Sequence, residues 1–313
     1  MYPISIILPV YNGMRYLEQC VNSVLTQSSR SFEFLILDDC STDESYAYLQ
    51  SLADARIKLY KNKENKGLFY NLNFLLKESS SPLIKLWSQD DVMNPDCIKE
   101  IVQFYEVHPE VGFVYTGGNY IDADGNRLML NKPDNTPALI STALHTRIAC
   151  ITGSIAGNIA NVAIARAAID KVGNFNEKMK ISGDFDMWVR IAEYFPVGFI
   201  NRPLIKLRNH NGQLSKQGEY FIYHLKEDLQ VYNHLFSYST AAQKKEGLRL
   251  LRSQKLLFYY TLMLKEILSG RIKEGARFYR EIANFDNIFI LSLFFIRHRI
   301  FKVKPNFDFN NSK

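Results

Sequence analysis

"PLIKLWSQDDV", residues 82–92, decides how this chain is read. Its first half is a largely apolar run, as in a strand of a parallel sheet buried on both faces. The run closes on two adjacent carboxylates, Asp90 and Asp91. Like charges side by side repel, and each resists leaving water. A cation nearby would make the pair worthwhile; a solvated turn would tolerate it. These residues alone leave both readings open.

The same design recurs on either side of this stretch. "ISIILPV" (4–10) is an apolar β-rich run that ends in the turn "YNG", and "FEFLIL" (32–37) runs into Asp38 and Asp39. Helical spacing of Leu17, Cys20, Val21, Val24 and Leu25 predicts a helix between these strands. "DESYAYLQSLA" predicts a second helix, capped by Ser41 or Thr42. "IKLYKN", "GLFYNLNFLLKES", the 82–88 strand and "PDCIKEIVQFYEVHP" continue the alternation. A β-α-β-α rhythm implies a mostly parallel sheet flanked by helices, an α/β class with Rossmann-like winding. Ligands of such sheets bind outside the carboxyl ends of the strands. Tyr11-Asn12, Asp38-Asp39 and Asp90-Asp91 all fall at that edge.

Residues 112–180 are less regular: "GFVYTGGNYID" predicts a strand, "DADGNR" a hairpin turn, and "VAIARAAIDKVGNF" a short strand or helix start followed by a loop. "DFDMWVRIAEYF" predicts a helix, and "VGFINRPLIKLRNH" a last pair of strands broken at Pro203. Beyond Gly218 the pattern is helical, with candidates at 221–236, 243–268 and 270–285. The expected division is 1–214 for the α/β domain and 215–313 for a mainly helical region, with the boundary in "QLSKQGE" (213–219).

Composition narrows the class. With 47% hydrophobic and 22% charged residues among 313, the chain can bury a sizeable core without staples. Cys20, Cys40, Cys97 and Cys150 are scattered, with no CxxC pair, so reduced thiols are expected rather than a zinc site or disulfide framework. The N-terminus lacks a basic leader and a long apolar stretch, and "IFILSLFFI" (288–296) is too short to span a bilayer. The net charge of +6 is uneven: from Ser215 onward 17 Lys and Arg face 9 Asp and Glu. That basic region is expected to meet an anionic membrane surface or to be the solvated outer face of a packed helical domain. No nucleic-acid motif accompanies the charge, so nucleic acid is not an expected partner.

"ISIILPVYNG", "LILDDCSTDES", "NKENKGL", "QDDVMNP" and "SGDFDMWVRIA", in this order, resemble the motif series of the inverting family 2 glycosyltransferases with a GT-A fold, over about residues 3–212. The resemblance implies transfer of a sugar from a nucleoside diphosphate donor, commonly a UDP-sugar, to a hydroxyl of a glycan or lipid-linked acceptor. It implies a divalent cation, Mn2+ or Mg2+, to neutralise charge on the departing diphosphate. By resemblance Pro9, Tyr11, Asn12, Asp39, Asn65, Gly67, Gln89 and Asp90 bind the nucleotide, and Asp90, Asp91 and His210 hold the metal. Asp184 is the general base that takes the acceptor hydroxyl's proton, with Asp186 the next candidate and an N-cap the competing reading for Asp184. Two departures stand out: Ser88 occupies the place of a family Asp, and Leu72 that of an Arg that meets the diphosphate. The biological setting implied is bacterial surface polysaccharide such as O-antigen or capsule, in the cytoplasm or at the inner membrane's cytosolic face. A non-catalytic nucleotide- or glycan-binding protein and a sugar nucleotidyltransferase are the rival readings; "PVYNGMRYLE" lacks the repeated glycines the latter needs.

Overall fold

The computed structural model describes residues 2–129, 135–210 and 220–302. The expected boundary at 213–219 lies outside these residues. The chain divides into two compact units, Met1–Ser141 with Ala156–Gln213, and Thr142–Ile155 with Leu214–Lys313.

The first unit is built on β1 (Ile4–Val10), α1 (Met14–Leu25), β2 (Phe32–Asp38), α2 (Ser45–Ser51), β3 (Ile57–Lys61), α3 (Leu68–Glu78) and β4 (Leu83–Leu86). It continues through β5 (Val92–Met93), α4 (Cys97–Val107), β6 (Phe113–Ile121), β7 (Arg127–Met129) and β8 (Leu139–Ile140). After α5 (Thr142–Thr152), which clusters with the second unit, come β9 (Val162–Ala165), α6 (Arg166–Val172), α7 (Gly183–Tyr194) and β10 (Val197–Arg208). The strands form one mixed sheet in the order β3-β2-β1-β4-β9-β6-β10-β5, with β7 on β6 and β8 on β10. β1 to β4 are mutually parallel, β9 runs against β4 and β6, and β10 runs with β6. Ile4, Ile6, Leu8 and Val10 form one core layer with Leu17, Val21 and Val24 of α1 and Ile98 and Ile101 of α4.

Pro9 sits in a strand with neighbours on both sides, where a missing N–H normally breaks a ladder. β4 pairs with β1 only as far as Ile7, so beyond that point β1 has lost its neighbour on that side and the proline is tolerated. The ladder between the two strands ends there, at the edge where an open α/β sheet has its ligand crevice. β10 corrects one expectation. It is a single strand across 197–208, not a pair, and its register against β6 shifts on both sides of Pro203. A bulge absorbs the residue that cannot donate to the ladder.

At the opposite edge of the sheet, Glu33 is buried with Ser5, Ser80 and Ser81 around Oε1 and the Lys58 ammonium 2.7 Å from Oε2. Burial opposes its ionisation, but Lys58 and the serine hydrogen bonds outweigh that and hold its pKa near 2 against an ordinary 4.5. A depressed carboxylate adds stability above its unfolded pKa and loses it as pH falls through the folded value. The difference is worth about 3 kcal/mol at neutral pH, trimmed to about 2 by the half-exposed Lys58. Glu33→Gln is therefore expected to lower stability by about 2 kcal/mol at pH 7, with the gap to wild type closing between pH 5 and 2 in urea titrations.

The second unit is helical: α5, α8 (Phe221–Ser237), α9 (Ala241–Ser253), α10 (Lys255–Leu268), α11 (Ile272–Phe285) and α12 (Ile288–Phe295). Tyr232 donates to the Ala149 carbonyl at 2.9 Å and ties α8 to α5. Thr240 and Gln243 form a reciprocal capping box that starts α9. The single helix expected over 243–268 breaks at Gln254, whose φ of −124° and ψ of −90° are not helical. Flanking ion pairs, Arg252 with Asp286 and Lys255 with the buried Asp228, anchor the two pieces to different partners. No helix among the described residues is long and apolar enough to cross a membrane.

Candidate active site

The carboxyl ends of β1, β2 and β4 meet at one edge, because Val10 is in register with Asp38 and Ile7 with Leu86. The loops that leave this edge are stitched together through backbone amides. Asn12 N–H donates to Ser41 Oγ at 3.0 Å, Gly13 N–H to Ser45 Oγ at 2.9 Å and Met14 N–H to Asp43 Oδ2 at 3.1 Å. In return Asn12 Oδ1 accepts the Thr42 amide at 2.8 Å. Ser41 and Thr42 were expected to cap α2; their side chains instead serve the loop after β1, and Asp43 Oδ1 takes the Ser45 amide at 3.0 Å. Burial opposes ionisation of Asp43, yet these hydrogen bonds prevail and keep its pKa below the ordinary value. Asn12 and Cys40 both adopt left-handed backbone, with φ of 48° and 62°. Two such non-glycine residues on facing loops mark over-determined geometry of the kind found at functional clefts.

Gln89 spans the crevice. Its Oε1 accepts the Tyr11 amide at 2.8 Å and its Nε2 donates to the Tyr11 carbonyl at 3.0 Å. A Cβ at Gly13 would stand 2.7 Å from the Gln89 carboxamide, so glycine is what admits this brace. The Tyr11 side chain stays exposed. Asp39 is buried and organises the next loop: Oδ1 accepts from Asn62 Nδ2 at 2.7 Å and the Lys66 amide at 2.8 Å, and Oδ2 from the Gly67 amide at 3.0 Å. A carboxylate takes about four hydrogen bonds, and these are three. Gly67 has φ of 85° and leads into α3, while Asn65 is exposed on the same loop. Leu72 is fully buried and Asn73 holds the Phe175 backbone and Glu177, so neither faces the crevice.

The adjacent carboxylates after β4 divide. Asp90 Oδ1 accepts the Ser88 hydroxyl, and Oδ2 lies 3.0 Å from His210 Nε2. Asp91 turns inward and is 1% exposed, with Oδ1 on the Arg208 amide at 2.8 Å. Burial first, then the neighbouring Asp90 charge, push its carboxyl well above the ordinary range. Arg208 is committed to structure: Nε donates to the Asp90 carbonyl at 2.9 Å, and the guanidinium reaches the carbonyls of Asp122 and Ala123 and the Gln19 side chain. It also covers the Tyr16 ring at 4.5 Å, and that ring packs against His210. Among the described residues no three His, Cys, Asp or Glu side chains converge as a ready-made metal cluster.

Asp184 arrives by a different route. The Gly112 amide donates to the Pro196 carbonyl, and Ile191 and Phe195 fill the space beside Gly112, so α7 ends where β6 begins. Its N-terminus must then lie at the opposite edge, where the parallel strands end, since 12 helical residues cover about 18 Å. Gly183 abuts the Phe69 ring, at 2.6 Å from where a Cβ would stand, which sets Asp184 beside the start of α3 and the Gly67 loop. Ser182 is the N-cap and Asp184 the second helical residue, half-buried, with Oδ1 on the Phe185 amide at 2.7 Å. Asp186 is held by Arg190 at 2.8 Å. The structure thus brings Pro9, Tyr11, Asn12, Asp39, Asn65, Gly67, Gln89, Asp90, His210 and Asp184 to one edge, and turns Asp91 away. Sequence reasoning missed Asn62, Ser45 and Ser88 as the groups that hold these residues; Asn62 and Ser88 carried only the signal of a polar residue just past a strand end, and Ser45 that of a polar residue opening a helix.

Comparison with known proteins identifies the family. Residues 5–166, just over half of the chain, match glycosyl transferase family 2. An uncharacterized glycosyltransferase of Rickettsia conorii is 30% identical over 215 residues, 68% of this chain and 35% of the relative, so the chain spans about a third of that protein's length. Staphylococcus aureus TarS 1–349 in complex with UDP-GlcNAc superposes with a TM-score of 0.70 at 17% identity, covering 90% of this chain and 80% of TarS. The mannosyltransferase PcManGT of Pyrobaculum calidifontis, in complex with GDP-Man and Mn2+, gives 0.55 at 12% identity over 97% and 88%. The α/β sheet and the helices that follow it are the GT-A-like arrangement expected from sequence. The chain belongs to glycosyl transferase family 2.

Proposed function

We propose that this chain transfers a glycosyl group, with inversion, from a nucleoside diphosphate sugar, UDP-linked by preference, to a hydroxyl of a glycan or lipid-linked acceptor. The observation that carries the reading is the gathering of Asp39, Asp90 and Asp184 from separate elements at the one edge where parallel α/β sheets bind ligands. Tyr11 offers an exposed ring to stack on the base. Asp39 keeps the Lys66 and Gly67 amides in place, and its remaining lone pair suits a base N–H. Asp184 takes the proton of the attacking hydroxyl from the face opposite the leaving group.

The residues present fit a divalent cation. Asp90 Oδ2 and His210 Nε2 are an oxygen and a nitrogen 3.0 Å apart, and Mn2+ or Mg2+ at such sites takes one or two protein ligands and the diphosphate. When bound, the ion neutralises charge on the departing diphosphate. Bacterial surface polysaccharide, O-antigen or capsule, and a cytosolic place at the inner membrane complete the proposal.

A thermal-shift panel of nucleotide sugars, with and without Mn2+, tests it. One donor at a hundredfold excess over its Kd should add about 2.7 kcal/mol. His210→Ala is expected to raise the Mn2+ concentration for half-maximal stabilisation at least about tenfold. Ser88 and Leu72, where the family pattern has Asp and Arg, favour the rival reading of a non-catalytic binding protein. Slow Mn2+-dependent release of diphosphate from the stabilising donor would exclude it, and binding with no turnover toward any acceptor would establish it.

A further inference from the structure

The helical unit gathers apolar side chains and cations at one end. Arg252 grips Asp286 through hydrogen bonds of 2.7 and 2.6 Å beside the start of α10. About two turns further on, Tyr260 shares a 2.8 Å hydrogen bond with Ser292 and packs on Phe295 with ring centroids 5.5 Å apart. These anchors set α12 against α9 and α10. The turn of residues 296–300 extends α12 beyond Phe295. Leu268, at the C-terminal end of α10, is 86% exposed, and Ile272, at the start of α11, 59%.

α12 reads "IFILSLFF", apolar all round, a composition that belongs inside something. It buries Leu291 completely, but Phe289, Leu293, Ile296 and Ile300, spaced by four, three and four residues, stay exposed along one stripe. Phe301 extends it at 71% exposure. Arg297, Arg299 and Lys302 interleave with the stripe, are exposed, and make no ion pair among the described residues. From Ser215 onward cations outnumber anions by eight.

We propose that the α12 face, Phe289, Leu293, Ile296, Ile300 and Phe301 with Arg297, Arg299 and Lys302, docks on an anionic lipid surface. Its apolar side chains enter the boundary between headgroups and acyl chains, and its cations meet lipid phosphates. A second copy of the chain fits less well, because a two-fold pairing would set these unpaired cations against themselves. The inference deepens the functional reading, in which the acceptor is carried at a membrane, but it is read from α12 alone and tested without turnover.

Co-sedimentation of the full chain with vesicles decides it. Binding is expected to phosphatidylcholine vesicles containing about one third phosphatidylglycerol, at least about tenfold tighter than to phosphatidylcholine alone, and weakened by salt. Arg297→Gln with Arg299→Gln should lose about fivefold per cation. Leu293→Glu with Ile300→Glu should abolish binding while the melting temperature stays that of wild type. Should that pair lower the melting temperature, the arginine pair alone decides. Equal binding to both vesicle types, no binding to either, undiminished binding by the arginine pair, or a dimer that the glutamates dissociate would overturn the proposal. Because donor stabilisation is read separately, a failure here leaves the glycosyltransferase reading standing, and the reverse holds too.

Discussion

Asp184→Asn is expected to lower kcat by about 10²–10⁴-fold while donor affinity stays within about twofold of wild type, the range for loss of a positioned general base. Asparagine keeps the shape of the side chain and, through its own oxygen, the acceptor for the Phe185 amide at 2.7 Å. What it loses is the capacity to hold a proton from the acceptor hydroxyl. It also loses a negative charge in the first turn of α7, where the helix dipole makes an acid worth roughly 0.3–1 kcal/mol, so a small fall in stability accompanies the kinetic effect. Asp186→Asn supplies the contrast. Its carboxylate is spent on Arg190, which in turn holds the carbonyls of Val172 and Asn174. That substitution should loosen the loop before α7 and cost about 1 kcal/mol, yet leave kcat near wild type. Single-turnover rates of the two variants, beside their urea midpoints, separate the roles. Were Asp186→Asn the inactive one and Asp184→Asn the active one, the assignment of the base would reverse.

Most strands and helices of 4–107 were legible because each obeys one period; the two-residue β5, which exists only by pairing with β10, was not. Apolar runs such as Phe34–Leu37 are buried on both faces, and Leu17, Val21 and Val24 fall on one helical stripe. Where several pressures met, the pattern was misleading. Pro203 looked like a strand break, but the bulge that accommodates it depends on its partner Gly117 in β6, 86 residues earlier. Gln254 carries no breaker signal; at that turn Arg252 pairs with Asp286, just past α11, and Lys255 with Asp228 of α8. Among the site residues, chemistry was readable and direction was not. Asp90 and Asp91 are identical in sequence terms, and only the Arg208 amide decides which one points inward. Gln89 reads as a ligand-binding amide; its two hydrogen bonds to the Tyr11 backbone make it a brace.

That division between neighbours leads to the second large effect. Asp90→Asn is expected to reduce kcat/KM by two to three decades and to remove most of the Mn2+ dependence of donor binding, because a metal's charge stabilisation of a leaving diphosphate is worth several kcal/mol and each 1.36 kcal/mol is a factor of about ten. The asparagine can still accept from the Ser88 hydroxyl, so the turn itself should hold. Asp91→Asn should do the opposite. Its side chain is 1% exposed and its Oδ2 has no hydrogen-bond partner among the described residues, so an amide there buries N–H groups without acceptors beside the β5–β10 pairing and lowers the melting temperature, with the metal dependence unchanged. Ser88→Asp completes the series. It puts a second carboxylate beside Asp90 and should tighten Mn2+ binding, at the expense of like-charge repulsion when the ion is absent. Titrations of Mn2+ against donor-induced stabilisation in the three variants read this directly. If Asp90→Asn binds donor with the same Mn2+ dependence as wild type while Asp91→Asn does not, the cation belongs to the inner carboxylate and the site must be redrawn around Arg208.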